Sequence, residues 1–210
     1  LPAQPCQSFP QSLSLQLCNL KNGDSRAVYK NINLDLRQYN RLQMFVHAES
    51  VVGNEPLQNG DVSAFLRLGS DFTSNYYEYE VPLIISTEGD QSATNIWPDS
   101  NNFDITLDDL VKAKQDRNFA GVALNIPYVV KLANGKNITV VGNPDLGIVA
   151  TAMIGIRNPK SGSPDDNGNS ICTEEWFDEL RLSGFEEDGG YAAIARADIR
   201  LADGGSVTFS

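Results

Sequence analysis

The stretch EEWFDELRLSGFEEDGGYAAIARADIRLADGGSVTFS, residues 174–210, begins as one kind of structure and ends as another. Trp176 to Leu182 is a short run of aromatic, branched and charged residues that reads as the closing strand of a domain. An acidic, glycine-rich break follows at residues 186–190. From there Tyr191, Ala193, Ala195, Ala197, Ile199 and Leu201 share one face, with Arg196, Asp198 and Arg200 on the other. Asp203, Gly204 and Gly205 signal a tight turn, and Val207 and Phe209 restart the alternation in a second strand. The first of these strands has the ~9–11 residues and the two unlike faces that a membrane β-strand needs. A long strand in a soluble sheet reads the same way. Residues 1–185 are expected to form one domain, and residues 186–210 a linker and the start of a different, long-stranded element.

Upstream, the period is that of strands throughout. Leu13, Leu15 and Leu17 alternate with Ser14 and Gln16, and residues 21–25 have turn composition. Ile32, Leu34 and Leu36 alternate next. Leu42, Met44, Val46 and Ala48 then oppose Gln43, Phe45, His47 and Glu49. Val62, Ala64, Leu66 and Leu68 share a face, as do Tyr77, Tyr79, Val81 and Leu83. Residues 87–102 read as a polar loop. Thr106 then caps a short surface helix through Leu107, Leu110, Val111 and Lys114, ending around Arg117. Strands are expected at residues 128–132, 137–141 and 148–156, the first two joined by the hairpin signal Asn134-Gly135. The sum is an all-β, two-sheet, jelly-roll-like sandwich with one short helix, followed by a hairpin.

Composition narrows the function. A net charge of −11 opposes a phosphate backbone and disfavours docking on anionic lipid headgroups. A chain that starts at Leu1 and stops in mid-pattern reads as a piece of something longer. The three cysteines lack metal spacing: Cys6 could pair with Cys18, or Cys18 with Cys172, and an odd count leaves one thiol over. The single histidine, His47, lies two residues from Glu49, a pair able to share a proton or a metal, but a site needs a third converging group. Asp165-Asp166-Asn167-Gly168-Asn169 starts like a calcium loop. Its glycine is misplaced, however, and Trp176 stands where the bidentate Glu belongs, so a solvated loop is expected. No cofactor, metal or catalytic residue is predicted. Tyr77 and Trp97 are the candidates for a sugar-stacking platform on a cell-surface carbohydrate-binding module, the alternative function.

Four long stretches carry a resemblance. LDLRQYNRLQMFVHAES (34–50), FLRLGSDFTSNYYEYEVPL (65–83), VVGNPDLGIVATAMIGIRNP (140–159) and WFDELRLSGFEEDGGYAAIARADIRLADGGSVT (176–208), with Trp97-Pro98 between them, resemble in order the SprA/Sov family. That family is the outer-membrane translocon of type IX secretion in Bacteroidetes, linked to gliding motility. The resemblance implies a non-enzymatic envelope domain that plugs, gates or docks partners at a protein-exporting barrel. Its partners would be secreted cargo and other secretion subunits, with the outer membrane reached through the parent barrel. Either side of that membrane is compatible. The resemblance also makes residues 186–210 a linker and the first strands of a membrane β-barrel, the start of a barrel-type β-hairpin, with Trp176, Phe177, Glu179, Arg181, Gly189 and Gly190 as the motif residues where the chain leads into it. As a fragment, residues 191–210 are expected to pair with a neighbouring sheet edge or swap between chains.

Overall fold

A computed structural model describes residues 12–160, 169–185, 197–200 and 206–209. Residues 165–168 of the calcium-like stretch fall outside these residues, as do Gly189, Gly190 and Cys6. Ten strands build two antiparallel sheets. They are β1 (Leu13–Leu20), β2 (Ser25–Leu34), β3 (Arg41–Ser50), β4 (Ser63–Gly69), β5 (Tyr76–Pro82), β6 (Phe103–Thr106), β7 (Tyr128–Lys131), β8 (Asn137–Val141), β9 (Val149–Arg157) and β10 (Ile171–Ser183). One sheet runs β1-β10-β3-β6 and the other β2-β9-β4-β5-β8-β7. With the β7–β8 hairpin set aside, the remaining eight strands lie four to a sheet, β1-β10-β3-β6 and β2-β9-β4-β5, which is the strand order of a jelly roll. The hairpin adds two strands beside β5. Two helices, α1 (Ala93–Ile96) and α2 (Leu107–Phe119), lie in the connections on either side of β6. No helix among the described residues is long and apolar enough to cross a membrane, which says nothing of a β-barrel.

The alternations seen in the sequence are the inner faces of these sheets. Leu42, Met44, Val46 and Ala48 of β3 are buried against Ala64, Leu66 and Leu68 of β4 and Tyr77, Tyr79 and Val81 of β5, in one continuous core. The helix N-terminus falls where Thr106 puts it, although the Thr106 side chain makes no capping bond. Leu107, Leu110 and Ala113 seal the core from outside, whereas Val111 is exposed, so α2 is half-buried.

Three details depart from the sequence reading. β2 begins at Ser25, in what reads as a turn, and its outer residues carry no burial pattern because it is an edge strand. β6 fills a stretch that had no strand assigned, and α1 lies inside the expected loop. The third departure sits in β10. Its inward residues are Thr173, Glu175 and Phe177 up to a bulge between Asp178 and Arg181, after which Leu182 opposes Leu42 of the core face. Glu179 takes φ 54° at this bulge, in the left-handed region. One extra residue thus turns an odd inward register into an even one, which keeps Leu182 facing the core and Arg181 facing out.

The first and last strands of the sandwich, neighbours in the four-stranded sheet, are joined covalently. Cys18 of β1 is bonded to Cys172 of β10, which resolves the two alternatives left by the sequence. The chain stays anchored past β10: Gly184 turns at φ 71°, and the Asn40 amide donates to the carbonyls of Ser183 and Gly184, 3.1 Å each. Phe185 meets Tyr39 edge-on at 5.4 Å. Further on, β11 (Ala197–Arg200) and β12 (Ser206–Phe209) pair antiparallel, Arg200 opposite Ser206, as the hairpin reading requires.

Candidate functional site

β3 and β10 lie side by side at the centre of the four-stranded sheet, so the residues they point away from the core form a continuous outer face. Register sets Trp176 beside His47, Asp178 beside Phe45 and Glu174 beside Glu49. The His47 imidazole stacks on Trp176 at 4.4 Å between ring centroids. Trp97 meets both His47 and Phe45 at 6.1 Å. The Arg181 guanidinium lies over the Phe45 ring at 5.1 Å, an arrangement worth roughly 0.5–1 kcal/mol. The motif residues are thereby sorted. Trp176 and Arg181 are parts of this face, Phe177 points into the core, and Glu179 makes the bulge that aims Arg181.

Trp97 comes from a strap, residues 84–102, that crosses the outer face of β3. Asparagines hold it. Asn101, fully buried, accepts from the Ile84 amide and donates to the Ile84 carbonyl, both at 2.8 Å. Asn95 closes the strap on itself through Thr87 and Asp90. The Ser86 amide donates to the Ala48 carbonyl at 2.8 Å, tying strap to sheet. His47 completes the attachment: its Nδ1 is 2.8 Å from the Ile96 carbonyl, which fixes the proton on that nitrogen because a carbonyl only accepts. Nε2 is buried 3.4 Å from a Glu49 carboxylate oxygen without a hydrogen bond. His47 is thus a packed, strap-holding residue. Among the described residues no cluster of three His, Cys, Asp or Glu side chains is arranged to hold a metal.

Glu174 is oriented by two donors, Trp176 Nε1 at 2.9 Å and the Ser14 hydroxyl at 3.2 Å. Its neighbour Glu175 points the other way, into the core, at 0% exposure. There the Thr173 hydroxyl donates to one carboxyl oxygen, and the other has no partner. Burial pushes the carboxyl up to about 8, opposed by the Thr173 hydrogen bond and assisted by the Glu174 charge. At neutral pH Glu175 is therefore mostly an uncharged acid. Strand alternation from Phe177 backwards would have flagged it, since residues 173, 175 and 177 share a face.

The second sheet has its own outer face. Phe65 is buried there beneath two guanidinium groups, Arg157 at 4.8 Å and Arg67 at 5.7 Å from the ring centre. Glu78 bridges them, 2.6 Å from Arg67 and 3.0 Å from Arg157, and Glu80 takes a further bond from Arg157 at 2.7 Å. Gly155 is the floor of this cluster, because a Cβ there would stand 2.4 Å from the Phe65 ring.

The sugar-stacking pair is not brought together. Tyr77 faces the core at 3% exposure, its hydroxyl donating to the Pro144 carbonyl at 3.3 Å. It reaches only the floor of a cleft of about 280 Å³ between α2 and the segments around Leu36 and Leu146. Trp97 belongs to the outer face of the opposite sheet. A ring buried edge to edge in a sandwich cannot stack on a sugar, so Tyr77 is corrected to a core residue.

A family model for motility related/secretion proteins, SprA_N, matches residues 3–210. The chain belongs to that family. The match spans the sandwich and the hairpin that follows it, so SprA_N membership covers both parts of the chain. No curated protein matches the sequence. Membership makes this a motility- or secretion-related protein and associates it with the cell envelope.

Proposed function

We propose that this SprA_N domain is a non-enzymatic module of the outer-membrane translocon for type IX secretion, docking secreted cargo or secretion subunits at the barrel. The family match is the observation that supports the reading most directly. The geometry adds a physical reason for the docking role. β10 is central in its sheet, is bonded covalently to β1, and stays hydrogen-bonded up to Gly184. A body fixed this firmly to the strand leading into a barrel hairpin stays near the barrel mouth with a defined orientation. In this proposal, Trp176, Phe177, Glu179 and Arg181 set the exit angle of the chain, with Gly189 and Gly190 as the break before the first membrane strand. The outer face built on Trp97, Trp176 and Arg181 is the surface offered to partners.

A photo-crosslinking residue at Gln43, on that face, tests this in cells carrying the parent protein. Capture of secreted proteins or secretion subunits is expected. Normal secretion with no crosslink at Gln43 or Asp178 would remove the docking role. Glycan-array binding lost on Trp97→Ala would replace it with the carbohydrate-binding reading.

A further inference from the structure

His47 is the one histidine of the chain, and it is 2% exposed. Among the described residues, the polar groups in reach of its two ring nitrogens are all acceptors. At Nδ1 they are the Ile96 carbonyl at 2.8 Å and the Ser86 hydroxyl oxygen at 3.1 Å. The Ser86 proton is not available to the ring, because it goes to the Asn95 carbonyl at 2.7 Å. At Nε2 stands the Glu49 carboxylate, 3.4 Å away, and Nε2 is sealed from bulk water. A neutral imidazole has one proton to give. With that proton on Nδ1 the strap is held, but the Nε2 lone pair points at a carboxylate. With it on Nε2 the carboxylate is answered, but a lone pair on Nδ1 opposes the Ile96 carbonyl. The doubly protonated ring satisfies both sides at once.

The surroundings bear on that second proton in both directions. Burial opposes a charged ring, while the Glu49 carboxylate and the Trp176 indole stacked at 4.4 Å favour one. Across β10, Glu174 is engaged by Trp176 and Ser14, and Asp178 accepts from the Glu179 amide at 3.0 Å. Arg181 lies over Phe45 and 3.5 Å from Glu179. Glu175 faces the core, and the strap's own acids, Glu88, Asp90 and Asp99, are exposed. Glu49 is thus the carboxylate that reads the state of the ring.

We propose that His47 is a proton-held latch: as an imidazolium bridging Glu49 and the Ile96 carbonyl it seats the strap, and loss of the second proton loosens residues 84–102 together with Trp97. Imidazoles change charge within reach of neutral pH, so the outer face keeps Trp97 fixed at lower pH and loses that order as pH rises. The latch stands without any partner; its control over docking rests on the role proposed above.

NMR of the 210-residue protein, labelled at its one histidine, tests this. At pH 5 both ring nitrogens should carry protons, and one should lose its proton as pH rises. As it leaves, hydrogen-exchange protection of the Ser86 amide, which ties strap to sheet, should fall roughly ten- to a hundredfold after correction for intrinsic exchange, the worth of one hydrogen bond to a charged group. Glu49→Gln offers an amide that donates to a neutral Nε2, so the strap should stay seated and its protection should no longer follow pH. Taking parent and variant together at each pH cancels Glu175, which both share. A ring with a single proton at pH 5 would overturn the latch. So would Ser86 protection that follows pH alike in parent and Glu49→Gln. Strap protection that follows His47, with no crosslink from Gln43 at any pH, would remove the docking role and leave the latch standing.

Discussion

Replacing Glu175 with Gln should make this protein more stable at pH 8 and leave it nearly unchanged at pH 5. The carboxyl lies in the core with one oxygen unpartnered, and burial lifts it from an ordinary 4.5 to about 8. Between those values the folded chain holds a proton that the unfolded chain has released. Stability therefore falls as pH rises through this window and is level outside it. Each unit is worth about 1.4 kcal/mol, so ionising Glu175 inside the fold costs on the order of 4–5 kcal/mol. Gln keeps the shape and the Thr173 contact but never ionises. The stability difference between variant and parent should therefore grow by roughly 3–4 kcal/mol from pH 5 to pH 8. Urea unfolding followed by the fluorescence of Trp97 and Trp176 measures it, and taking the difference at each pH cancels every other titrating group. A difference that stays constant across the range would mean that Glu175 is not held as a neutral acid.

Three further outcomes follow from the fold. Cys18→Ser with Cys172→Ser should lower the unfolding free energy by about 2–5 kcal/mol, as should reductant on the parent, because the bond closes a loop of 154 residues in sequence separation. Glu179→Gly should raise it by roughly 0.5–1 kcal/mol by relieving the left-handed backbone at the bulge, while Glu179→Val should lower it. Asn101→Ala should cost about 2–4 kcal/mol, since it strands the Ile84 N–H and carbonyl, and should speed hydrogen exchange at Ile84 before the core opens.

The parts legible in the sequence were those in which burial follows the pleat. β3, β4 and β5 announce their inner faces because each buries one side against the other sheet, and period-2 alternation is the direct imprint of that burial. β2 was unreadable over most of its length because an edge strand exposed on both faces has nothing to alternate. The change of register in β10 was hidden for a different reason. This bulge puts one residue at positive φ, and Glu179 gives no glycine or asparagine signal to mark it. The outer face on Trp176 escaped because it is assembled from β3, β10 and a strap far apart in sequence. Only the resemblance singled out Trp176 and Arg181, and neither it nor the spacing put His47 beside them. Tyr77 was offered for stacking although the alternation of β5 already put it on the inner face with Tyr79 and Val81.

The pairing of β1 with β10 brings Leu13 opposite Phe177, so the chain enters and leaves the sandwich at one end of one sheet. Tension applied between those two ends peels the strands apart pair by pair, which is the weak direction of a sheet. The Cys18–Cys172 bond lies toward the far end of the same seam and halts the tear after Leu17. Pulled from its own ends, the domain lengthens by a few residues and then behaves as a locked ring, whatever load the rest of the chain transmits.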